Sequence, residues 1–153
     1  MSESSQLLTD KYFHFIRKVV ASGIVFCLKD EKEYAAACTS SQFEAEDGEE
    51  VAVIPFWSEK EYAQNCVQEE WEDYKVSEIP LADFMENWCL HLLEEDTVAG
   101  IDFDEDLFGY EEHPIHLLKE LIAEVEANKL NLTFQSFSSL NDLRDYLQEI
   151  EQD

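Results

Sequence analysis

The sequence predicts an α+β fold, with a mixed sheet of about five or six strands flanked by helices. Three observations predict it. Several short runs, such as residues 24–28 and 51–56, are apolar on both faces, as strands covered on two sides are. Between them lie longer segments whose apolar residues recur at helical spacing. Their order is mixed, an early strand pair followed by alternating elements. The 153 residues suit one domain over 1–153, with a strand–helix extension over 128–153.

Each element has its own signal. Tyr12, Phe13, Ile16, Val19 and Val20 form the stripe of a first helix, with Thr9 as N-cap and Gly23 as the stop. Residues 24–28 are the first strand, 30–33 a turn, and 34–38 its returning partner. Residues 39–50 are polar, acidic and read as a loop. Residues 51–56 form a strand whose Pro55 belongs at an end or edge, because it has no N–H to donate. Ser58-x-x-Glu61 has the pattern of a capping box, with Trp57 and Tyr62 at the two positions of a hydrophobic staple. That predicts a helix reaching about residues 70–71.

Residues 74–81 read as a short extended segment, and 82–95 as a helix with Phe84, Met85, Trp88, Cys89, Leu92 and Leu93 on its apolar face. Residues 98–103 read as a strand. Pro114 fits the first turn of a helix whose buried stripe is Ile115, Leu118, Leu121, Ile122 and Val125, with Asn128 as its stop. Leu130, Leu132 and Phe134 alternate with polar residues, a half-exposed strand. Ser138 or Ser139 caps a last helix with Leu140, Leu143, Leu147 and Ile150 inward.

Charge is the outlier. Ten basic residues stand against 36 acidic ones, a net charge of −26. No Lys or Arg occurs between Lys75 and Lys119. Such a field repels nucleic acid and anionic lipid and favours a basic partner or a cation. No apolar run approaches the roughly 20 residues of a membrane span. The first residues have neither the basic nor the apolar region of a signal peptide, so we expect a cytoplasmic protein. Cys27, Cys38, Cys66 and Cys89 are widely spaced in apolar contexts, which predicts buried free thiols.

Candidate sites are few. Asp102, Asp104 and Asp106 occupy positions 1, 3 and 5 of a calcium-loop pattern, which then breaks at Leu107 and His113. His113 and His116, with Glu111 or Glu112, have a spacing that suits a transition metal. No G-x-S-x-G and no Gly-rich phosphate loop occurs, so we expect no enzyme and no cofactor.

The runs Tyr12…Phe15-Ile16-Arg17-Lys18-Val19, Val25-Phe26-Cys27-Leu28, Val53-Ile54-Pro55-Phe56-Trp57…Glu61-Tyr62-Ala63 and Ile79-Pro80-Leu81…Phe84…Trp88 resemble a bacterial family of uncharacterised proteins, the domain of unknown function numbered 2750. The resemblance covers a core of about residues 9–125 and implies no catalytic residues. The strand-to-helix step at 51–62 is also similar in architecture to the N-terminal domain of SseB-type enhanced-serine-sensitivity proteins. Charge and composition together lead us to expect a non-enzymatic interaction module, immunity-like in its sharpest form, that binds a basic protein. Its candidate contacts are Trp57, Glu94, Glu95, Asp96, Asp104, Glu105, Asp106, Glu111 and Glu112. The alternative is a small-molecule or divalent-cation binder, with a pocket walled by Trp57, Tyr62, Trp71 and Trp88 or by the 102–106 acids.

Overall fold

Helix α1 (Glu3–Ser22) begins well before Thr9 and ends at Gly23, whose φ of 76° lies in the left-handed region that glycine tolerates. The computed structural model describes residues 3–44 and 48–152. Within these, β1 (Ile24–Lys29), β2 (Cys38–Glu44), β3 (Glu50–Phe56), β4 (Lys75–Pro80), β5 (Val98–Ile101) and β6 (Tyr110–Glu112) form two sheets. The α+β class of the sequence reading holds, but its one sheet is two. β1 pairs antiparallel with β4 alone, while the other four run in the order β2-β3-β5-β6. β3 and β5 are parallel, and the remaining neighbours are antiparallel.

The sheets meet at one bridge, where Phe26 and Trp57 exchange backbone hydrogen bonds of 2.9 and 2.8 Å. Alternation along the strands feeds two apolar clusters. Val25, Cys27, Phe56, Ala99 and Ile101 join α1 and the later helices in the larger one. Leu28, Val53, Trp57, Val98 and Phe103 join Trp71 in the smaller one. This is why the strand runs are apolar on both faces.

Several expectations are corrected. The partner of β1 is β4, and residues 34–38 contribute only a Lys29–Ala35 bridge. The acidic segment after Cys38, read as a loop, begins as strand β2, with residues 45–47 outside the described set. Pro55 does stand at a strand end, as the penultimate residue of β3, but that strand is a central one. The N–H of Asp102 donates to the Phe56 carbonyl on the β5 side, so Pro55 faces β2, whose ladder ends at Val53. Its missing N–H therefore breaks no ladder bond.

The helix after β3 is short, α2 (Lys60–Gln64), followed by a 3-10 turn (Glu69–Trp71). The helix at 82–95 is three pieces: α3 (Leu81–Asp83), a π-helical stretch (Phe84–Trp88) and α4 (Cys89–Glu94). α5 (Pro114–Ala127) is N-capped by His113, whose Nδ1 accepts the Ile115 N–H at 3.2 Å. It ends at Asn128 as expected.

Residues 130–137 form no strand. The Glu86 carboxylate, in the π-helical stretch, accepts the backbone N–H groups of Gln135 and Ser136 at 2.7–3.0 Å, taking the donors a ladder would use. α6 (Leu140–Gln152) follows, with the Ser139 hydroxyl accepting the Asp142 N–H. Phe134, Leu143 and Leu147 complete the larger apolar cluster.

Candidate functional site

Two concave regions dominate the described surface. The first lies at the carboxyl ends of the parallel pair β3–β5, the place where open sheets of this kind leave a crevice. Trp57 and Ser58 follow β3, and Asp102 and Phe103 follow β5. Asp102 is 1% exposed and holds a left-handed φ of 47°. Its carboxylate accepts the Ser58 N–H at 2.7 Å and the Ser58 hydroxyl at 2.9 Å. Ser58 is therefore no helix cap: it is 1% exposed, and the N-cap of α2 is Glu59, without a side-chain bond. The capping-box expectation fails because a buried carboxylate competes for the hydroxyl and wins.

The next residues are fastened from below. The Trp57 indole N–H donates to the Phe103 carbonyl at 2.9 Å. The Phe103 ring fills the space that glycine leaves at two positions. A Cβ on Gly100 would sit 2.7 Å from that ring, and one on Gly109 would sit 2.5 Å from it. Asp104 then folds the loop over, its carboxylate accepting the N–H groups of Asp106 and Phe108. The cleft above, about 480 Å³, is walled by Lys11 and His14 from α1, Tyr62 and Asn65 from the α2 side, and residues 102–106. Burial raises the Asp102 carboxyl above its ordinary 3.8, opposed by the Ser58 bonds and by the nearby charges of Lys11 and His14.

The second region is a groove of about 950 Å³ between Tyr34, the π-helical stretch and α6. Trp88, Leu90, Phe137 and Tyr146 line it with Tyr34, and Glu33, His91 and Glu94 stand among them. Tyr34 is 67% exposed and Tyr146 41%. The Phe137 and Tyr146 rings meet at a tilt, 5.6 Å between centroids. π-Helical turns recur at functional sites, because they re-aim side chains that an α-helix would keep in phase.

Residues 12–121 match the family model described as protein of unknown function, DUF2750. The chain belongs to the DUF2750 family. No curated protein and no solved structure matches it. In this DUF2750 protein the matched span carries both walls of the strand-end cleft except the part of α1 before residue 12. The groove, in contrast, takes its Phe137 and Tyr146 wall from beyond the match.

The sequence candidates are dispersed. Glu94, Glu95 and Asp96 lie before β5, while Asp104, Glu105 and Asp106 lie after it, so the basic-free interval forms two exposed groups at opposite ends of one strand. Glu111 is 6% exposed and accepts the Ser40 hydroxyl, and Glu112 is half-buried and binds the His113 N–H. Trp57 is wholly buried, which makes it the floor of the loop and removes it from the surface. The pocket imagined between Trp57, Tyr62, Trp71 and Trp88 does not form. Trp57 and Trp71 sit in the smaller cluster, Tyr62 lines the cleft, and Trp88 lines the groove.

Asp102, Asp104 and Asp106 do not converge either, since Asp102 turns in to Ser58 while Asp104 and Asp106 are exposed. Among the described residues no three His, Cys, Asp or Glu side chains are placed to share a metal ion. His113 spends its Nδ1 on the Ile115 N–H, and His116 Nδ1 stands 3.6 Å from Glu112. All four cysteines are free, Cys38 half-buried and the others buried. Burial pushes the thiols of Cys27, Cys38 and Cys66 up to about 11, and that of Cys89 further, so none is a ready nucleophile.

Lys11, His14 and Asn65 were missed as cleft residues, and Tyr34, Phe137 and Tyr146 as groove residues. Only Glu86 left a signal, a charge embedded in the apolar run Phe84-Met85-Glu86-Asn87-Trp88.

Proposed function

We propose that this protein is a non-enzymatic interaction module that receives a basic segment of a partner protein in the groove between Tyr34, Trp88 and Tyr146. The observation that carries the reading is an open aromatic groove edged by carboxylates on a chain of net charge −26. Aromatic anchors in a groove are where interface energy concentrates, and a like-charged partner is excluded by the field. Two residues of the groove already hold an ammonium beside it, in the manner a partner's lysine or arginine would use. Lys29 Nζ stands 5.6 Å over the Trp88 ring and 3.7 Å from a Glu33 carboxylate oxygen.

A cytoplasmic setting fits this reading, with four free thiols and, among the described residues, no helix long and apolar enough to cross a membrane. The immunity-like form, in which the basic partner is a toxin, is the special case in which neutralisation follows from binding. The test uses a short peptide alternating Arg and Leu, with a Glu and Leu counterpart of equal length, titrated against the protein's Trp fluorescence. The Arg peptide binds, its affinity falls as salt rises, and Tyr34→Ser or Tyr146→Ser weakens it about tenfold or more, roughly 1.4 kcal/mol. No binding, or binding that the Tyr34→Ser/Tyr146→Ser double variant leaves intact, sinks the reading.

A further inference from the structure

We infer that the cleft at the carboxyl ends of β3 and β5 is a separate binding site for a small zwitterion of the α-amino-acid class. The starting point is a cation that has no direct ion-pair partner among the described residues. Lys11 is half-buried in a wall of this cleft. Among the described residues its ammonium makes no hydrogen bond and has no carboxylate within 4 Å. In a chain with 36 acidic residues, four of which line the same cleft, that separation is informative. Lys11 lines the cleft from α1 and the carboxylates line it from the 102–106 loop, and they do not close on each other, because α1 and the loop are each held by their own packing. Phe15 and Ile16 fix α1 in the larger cluster, and Phe103 and Trp57 fix the loop in the smaller one.

The chemistry of the walls selects the ligand. A phosphate or nucleotide meets the carboxylates of Asp104 and its neighbours and is repelled. A bare divalent cation finds no three converging ligands. A simple amine meets Lys11. A molecule with one group of each sign fits all walls: its carboxylate against Lys11, its ammonium toward the exposed carboxylates of residues 104–106. His14, Tyr62 and Asn65 offer hydrogen bonds between the two ends. His14 and Tyr62 are both turned toward Glu59. His14 Nε2 stands 3.7 Å from that carboxylate, and Tyr62 bonds to it. The volume of about 480 Å³ falls within the usual range for small-ligand sites and leaves room for a side chain.

The site is independent of the aromatic groove, and its test does not depend on the peptide experiment. The proteinogenic L-amino acids are added one at a time at millimolar concentration to the full chain, and the melting temperature is read. A ligand specific to the native state must raise it. We expect at least one amino acid to raise it saturably, with its N-acetyl form and its carboxamide both inactive. Lys11→Gln, a surface change that leaves the fold in place, abolishes the effect. The inference is overturned if no amino acid in the panel shifts the melting temperature. It is equally overturned if the shift survives acetylation, amidation or Lys11→Gln.

Discussion

Ser58 illustrates how one hydroxyl can be read correctly as a hydrogen-bonding group and assigned to the wrong partner. By sequence it has a capping partner three residues on. In the fold it is buried, and it donates its proton to the Asp102 carboxylate 44 positions away. The consequence is quantitative. A lost N-cap costs about 1 kcal/mol. Removing a donor from a buried carboxylate costs about 2 kcal/mol, because the charge is left under-solvated. Ser58→Ala is expected to show the larger loss in urea unfolding, with an unchanged denaturant slope. Local pattern could not reveal this, since no rule of short spacing connects residue 58 with residue 102. The same limit hid Lys11 and His14, whose roles come from where α1 crosses the ends of β3 and β5. Conversely, the four cysteines were legible one by one, since apolar neighbours in sequence predicted apolar neighbours in space for all but the half-buried Cys38.

Elements were legible where their signal was internal to them. α1, α5 and α6 announced themselves by their apolar stripes, and β1, β3 and β5 by runs that are apolar on both faces. The failures share a cause, a tertiary partner replacing a local one. β2 reads as a loop in the sequence because its polar composition carries no strand pattern, and β3 supplies the pairing. Residues 130–137 alternate like a strand, yet Glu86 captures two of their amides. The π-helical stretch also has no sequence rule behind it, and it shifts the phase of a face read as one helix. The cap of α5 carries a pH consequence. The His113 imidazole sits below its ordinary 6.5, chiefly through burial and then through the repulsion of His116, against the pull of Glu112 and Asp96. The neutral ring accepts the Ile115 N–H, and a protonated Nδ1 cannot. A depressed histidine binds fewer protons folded than unfolded, so its contribution is complete above 6.5 and is lost as pH falls from there through the folded value. His113→Asn keeps an acceptor at the cap without titrating. Its stability should improve relative to the parent as pH is lowered from about 7.5 to about 5, measured by urea midpoints.

At the scale of the whole molecule, the charge of −26 is the property most visible in the sequence and most altered by the fold. It does not gather into one acidic face, since β5 separates the 94–96 and 104–106 groups and Glu111 turns inward. Only five ion pairs of 4 Å or less occur among the described residues, two of them through histidine. Most of the carboxylates therefore repel one another across the surface. Raising NaCl from about 0.02 M to about 0.5 M is expected to raise the melting temperature by several degrees, as the Debye length contracts. A flat or falling curve would mean that the repulsion is already offset by contacts between these charges. The parallel pairing of β3 with β5 has a further consequence in time. β2 and β3 can close as soon as both have been synthesised. Neither the cleft nor the groove exists then. The strand-end cleft waits for residues 98–106, which must return across more than 40 residues of intervening chain to lie beside β3, and such distant closures are slow. The groove waits longer still, for Phe137 and Tyr146. On a ribosome, the strand-end cleft can form only after Asp106 has emerged, and the groove only after Tyr146.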